Sequence, residues 1–79
     1  MHVQILGPIT KDAEKLLQNT AIAAKKLKLK VSFEKVNDFR KAAVYGIMAV
    51  PALVIDGQLL SSGTVLNIEQ AVEILKSVM

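Results

Sequence analysis

Val50-Pro51-Ala52-Leu53-Val54-Ile55-Asp56-Gly57 is the stretch on which the fold turns. Ala52–Ile55 is a short, continuous apolar run, which reads as a strand buried on both faces. Asp56-Gly57 follows at once. That dipeptide tolerates positive φ at both central positions of a tight hairpin turn, whose twist matches the strands it joins. Residues 58–61 are therefore expected to return as an antiparallel strand. Pro51 has no N–H to give a ladder, so it marks the strand's beginning rather than its interior.

Outward from this hairpin, the segments alternate in type. Residues 2–6 contain β-branched Val3 and Ile5 and stop at Gly7-Pro8, the pattern of a strand and its punctuation. Thr10 is a good helix N-cap, and Ala13, Leu16, Leu17, Thr20, Ala24 and Leu27 follow at helical spacing. Asp12 and Glu14 fall in the first turn and lysines in the last, as the helix dipole favours. Residues 31–36 alternate as a second strand, with Val31, Phe33 and Lys35 on one face. Asn37 or Asp38 can cap a short helix through Tyr45, which Gly46 would stop. Ser62-Gly63 is a break. Asn67 and Gln70 form a capping box ahead of Ile68, Ala71, Val72, Leu75 and Val78, the expected buried stripe of a final helix.

The expected order is βαβαββα, an α/β arrangement in one domain spanning residues 1–79. The first strand-helix-strand unit should be a parallel crossover. The hairpin then adds antiparallel pairing, giving a four-stranded mixed sheet with three helices on its faces. The chain is 52% hydrophobic and 22% charged, within the globular range. At 79 residues with no cysteine, it has no disulfide or thiolate metal site to staple it, so its core must carry the stability.

Composition also narrows function. No apolar run approaches the ~20 residues a membrane-spanning helix needs. The first residues show no basic start, apolar stretch and small-residue cleavage site, so a cytoplasmic location without membrane contact is expected. The net charge of +3 comes largely from Lys25, Lys26, Lys28 and Lys30, which read as a solvated helix end. Phe33, Phe39 and Tyr45 are the only aromatics, too few and too scattered for base stacking, so no nucleic-acid partner is expected. His2 is the single histidine and no metal site is expected. Gly7-Pro8 lacks the spacing of a phosphate loop, and no cofactor is expected.

Ile5-Leu6-Gly7-Pro8 ahead of a helix, together with residues 45–57 and their Val50-Pro51 step, resembles the small archaeal and bacterial thioredoxin/glutaredoxin-like proteins often called redox-active disulfide proteins. The resemblance covers nearly the whole chain and implies a minimal thioredoxin-like fold. It also implies a cis peptide bond before Pro51, lying beside a Cys-x-x-Cys motif at the start of the first helix. Matching the segments puts those cysteines at Thr10 and Ala13, within Thr10-Lys11-Asp12-Ala13. By resemblance alone the chain would be taken for a thiol–disulfide oxidoreductase. Its residues say otherwise. The chemistry needs a thiolate to attack and a second thiol to resolve the mixed disulfide; threonine and alanine supply neither.

The expectation is therefore a redox-inactive protein that is not an enzyme of this kind. It would bind a peptide or partner protein through Ile9, Thr10, Val50 and Pro51, with Ile47 or Met48 nearby. In the alternative, the same face is an interface of a structural or homo-oligomeric subunit. No catalytic residue is expected: Thr10 has no predicted base beside it, and a hydroxyl needs one to act as a nucleophile.

Overall fold

The computed structural model describes residues 1–8, 10–37, 40, 46 and 49–79. Its elements are β1 (His2–Leu6), α1 (Lys11–Lys26), β2 (Ser32–Val36), β3 (Ala52–Ile55), β4 (Gln58–Ser62) and α2 (Ile68–Ser77). The helix expected between Asn37 and Tyr45 falls mostly on residues outside the described set, of which Arg40 alone is described as helical; among the described residues the delimited helices are two, not three.

The strands form one sheet in the order β2-β1-β3-β4. β1 runs parallel to β2, with Val3 beside Phe33 and Leu6 beside Val36. It runs antiparallel to β3, with Val3 opposite Ile55 and Ile5 opposite Leu53. Asp56 and Gly57 turn the chain with φ of 49° and 82°, the paired positive values a type I′ hairpin requires. β4 then pairs with β3 until the register shifts between Leu53 and Val54. Leu53 faces Ser61 and Val54 faces Leu59, so Leu60 is the extra residue of a bulge.

Period-two alternation sends the strands' side chains to two faces. On one face Val3, Ile5, Leu53 and Ile55 pack with Ala13, Leu16, Ala23 and Ala24 of α1 and with Ala71 and Leu75 of α2. On the other, Leu6, Val36, Ala52 and Val54 form a second apolar cluster that Leu59 joins. Ala52–Ile55 is buried throughout, so the apolar run of β3 faces a core on each side. Lys35 shares the helix-bearing face with Phe33, and its ammonium is paired with Glu14 of α1. That partner explains a charge in an otherwise apolar stripe.

Both helices begin as their sequences direct. The Thr10 hydroxyl accepts from Ala13 N at 3.2 Å. Asn67 Oδ1 accepts from Gln70 N at 2.8 Å, while Gln70 Oε1 accepts from Asn67 N at 3.0 Å, a complete capping box. The helices are fastened to each other where Asn19 Nδ2 donates to the Leu66 carbonyl at 2.8 Å. Thr20, fully buried on α1, satisfies its hydroxyl on the Leu16 carbonyl at 2.7 Å. The buried stripes are narrower than periodicity suggests: Leu17, Leu27, Ile68, Val72 and Val78 are half-buried, and Leu27, Ile68 and Val72 line a groove between α1 and α2.

Candidate functional site

Three chain segments converge at the C-terminal end of β1. Leu6 ends the strand, and Gly7 keeps the ladder going by donating its N–H to the Val36 carbonyl at 2.9 Å. Three residues later Thr10 sets the start of α1 in an extended conformation, with φ −126° and ψ 171°. The third segment is the entry to β3, where the Val50–Pro51 bond is cis. Pro51 is buried, and its carbonyl accepts from Gly63 N at 2.9 Å, which ties the proline turn to the end of β4.

Glycine is needed at two contacts here. A Cβ on Gly7 would fall 2.8 Å from Val50 Cβ, and Gly7 also has φ +131°. A Cβ on Gly63 would fall 2.7 Å from Ala49 Cβ. The loop into α1 and the end of β4 therefore press on the segment ahead of Pro51 from two sides. Val50 nevertheless stays 42% exposed, one of three large hydrophobic residues so placed among the described residues.

The residues expected at the site are distributed as follows. Thr10 is exposed and its hydroxyl serves as the cap of α1. Ala13 is buried at 5% exposure, with its methyl in the helix-side core. Val50 is exposed and Pro51 buried. Ile9, Ile47 and Met48 lie outside the described residues. The sequence marks Gly7 as punctuation and, within Ile5-Leu6-Gly7-Pro8, as part of the resemblance, but does not identify Val50 as its contact. A glycine closing a strand and leading into a helix is the local signal for such a close approach.

Chemically, the described residues of the face offer a helix N-terminus and the exposed aliphatic side chain of Val50, and the face has no thiol, since the chain contains no cysteine. The Thr10 hydroxyl is engaged as an acceptor by a backbone N–H. His2 stands at the opposite end of β1, about 13 Å from Leu6 along the strand at about 3.3 Å per residue. Its backbone N–H donates to Asp56 Oδ1 at 2.8 Å, and its ring Nε2 lies 3.4 Å from Glu34 Oε1. Gln4 Nε2 donates to the same oxygen at 2.7 Å. Among the described residues, no three His, Cys, Asp or Glu side chains gather to hold a metal, and no helix is long and apolar enough to cross a membrane.

Comparison with known proteins agrees with this geometry. A family profile described as "Thioredoxin domain" matches residues 1–76. A protein named "Thioredoxin" from Methanothermobacter thermautotrophicus (strain Delta H) is 32% identical over 75 residues, covering 95% of this chain and 97% of the relative. The parallel β1-α1-β2 unit, the antiparallel β3–β4 hairpin behind a cis-proline and the near-complete match lead to one assignment: the chain belongs to the thioredoxin domain family.

Proposed function

We propose that this protein is a redox-inactive thioredoxin-like module that binds an extended peptide or a partner protein at the face formed by Ile9, Thr10, Val50 and Pro51. The observation that carries the reading is Val50. It is 42% exposed although the residues after it are buried, and it sits immediately before a cis-proline and against Gly7. A peptide running past this turn would cover an aliphatic side chain worth about 1.5–3 kcal/mol when fully buried. It would also find backbone groups ahead of β3, and main-chain pairing of this kind supplies affinity without covalent chemistry.

Loss of redox activity follows from the absence of any sulfur nucleophile. Thr10 and Ala13 have structural uses that account for them, as helix cap and as core. The fold itself does not require exchange chemistry, since function resides in the site it carries.

Panning a displayed random-peptide library against the protein tests the docking surface. Recovered peptides should bind the parent and lose about tenfold or more in affinity with Val50→Asp, while circular dichroism of the variant stays unchanged. Peptides that bind both forms equally would place docking elsewhere and end this reading. Val50→Asp dissociating a self-associated form, with no peptide recovered, would favour an oligomeric subunit that uses this face. Insulin reduction above the protein-free background would overturn the redox-inactive assignment.

A further inference from the structure

We propose that the groove between the C-terminal half of α1 and the outer side of α2 is the contact face of a symmetric homodimer, separate from the Val50 face. The groove has a volume of about 600 Å³. Half-buried Leu27, Ile68 and Val72 give it an apolar floor. Exposed Lys26 from α1 and Glu69, Glu73 and Lys76 from α2 stand along it. Ion pairs within the chain include Lys35–Glu14 and His2–Glu34, neither of them at the groove. Among the described residues, none of the four charges at the groove has an ion-pair partner, although both signs are present.

Beside the groove stands Ile22, 43% exposed. It lies one turn before Lys26 on the same side of α1, and residues four apart share a helix face. Ile22 thus flanks Lys26 at the edge of the groove, with the carboxylates of Glu69 and Glu73 standing on α2.

The occupant that suits this mixture is a second copy. A two-fold axis sets one patch against itself, so each residue of one copy meets its complement on the other and the reverse. Lys26 of each protomer then faces Glu73 of its partner, and each Ile22 covers the other groove's floor. A uniformly basic partner would be repelled by Lys26 and Lys76, and a uniformly acidic one by Glu69 and Glu73. Like-charge juxtaposition of that kind selects against wrong partners. The groove lies near the far end of α1 from Thr10, along a helix of 16 residues, roughly 24 Å at 1.5 Å per residue. The two faces do not compete.

Sedimentation equilibrium of the full chain, up to about 1 mM protein, tests the proposal. The parent should form dimers. Ile22→Glu, Lys26→Glu and Glu73→Lys should each weaken association by about tenfold or more. The double variant Lys26→Glu/Glu73→Lys should recover most of the parent affinity, because the reversed charges face each other across the two-fold axis. Val50→Asp should leave association unchanged, which separates this interface from the peptide-docking face. Every substituted position is exposed, and circular dichroism confirms that each variant is folded. A parent that stays monomeric throughout overturns the proposal. So does a double variant no better than the singles, or a dimer that dissociates on Val50→Asp.

Discussion

Gly7 and Val50 meet so closely that a methyl group on the first would fall 2.8 Å from the β-carbon of the second. The contact joins the loop into α1 to the residue ahead of the cis-proline, and so sets how the candidate docking face is assembled. Gly7→Ala should cost about 2–3 kcal/mol, combining the clash with the strain of φ +131°. Urea denaturation measures it. In a double-mutant cycle with Val50→Gly, the pair should be less destabilising than the sum of the single changes, because the steric part disappears and the backbone strain stays. Strict additivity would show that the contact contributes nothing.

Thr10 and Ala13 stand at the positions to which the resemblance assigns the two cysteines of a dithiol site. A sulfur at position 10 would sit where the hydroxyl accepts the Ala13 N–H at 3.2 Å, at a helix N-terminus that favours a thiolate. Position 13 is buried, and a thiol there would be shielded until the first had reacted. Thr10→Cys/Ala13→Cys should therefore form an intramolecular disulfide and reduce insulin in the presence of dithiothreitol. Neither the parent nor Thr10→Cys alone should turn over. A double variant that oxidises only between molecules would show that the first turn of α1 no longer has the shape that exchange chemistry needs.

Local chemistry made much of this fold legible. Asp56-Gly57 required positive φ twice, and the turn has it. Asn67 and Gln70 formed the reciprocal cap written in their spacing. The unbroken apolar character of Ala52–Ile55 matched a strand with a core on each side. Features set by tertiary contact were not legible. Nothing around Leu60 announces a bulge, since the shift in register is imposed by how β4 lies on β3. Lys35 interrupts the apolar face of its strand, and its partner Glu14 lies across on α1, beyond the reach of local pattern. The closeness of Gly7 to Val50 joins residues 43 positions apart in sequence (50 minus 7), which no local pattern encodes. Nor could helical periodicity tell a fully buried Leu75 from a half-buried Val72 that lines the groove between the helices.

Ser61 carries the one buried side-chain polar atom without a hydrogen-bond partner among the described residues. It lies in β4 opposite Leu53, beside the bulge. A buried hydroxyl left unpaired loses its water without recompense, at about 1–3 kcal/mol. Ser61→Ala should accordingly raise the stability of the domain by about 1 kcal/mol, with an unchanged denaturant slope in urea. Destabilisation by a similar amount would mean that the hydroxyl is satisfied in solution by an ordered water that the alanine excludes.

The ion pair between Lys35 and Glu14 and the packing of Leu16 sit two residues apart on α1 and should differ greatly in worth. Both charged side chains are about two-fifths exposed, and pairs so open to solvent are worth only ~0–1 kcal/mol. Lys35→Met keeps an unbranched stem on the helix-bearing face and removes one long side chain's ordering cost. It should change stability by less than about 0.5 kcal/mol, and added salt should leave the parent nearly as stable as before. Leu16 is fully buried between α1 and the sheet. Leu16→Ala should cost about 2–5 kcal/mol through lost burial and the cavity left behind. A domain of this length holds only roughly 4–12 kcal/mol in total, so that loss should bring the midpoint of thermal unfolding down by many degrees and leave a measurable unfolded fraction at 37 °C. Equal effects from Lys35→Met and Leu16→Ala in the same urea series would mean that the sheet and α1 are held together by charge rather than by packing.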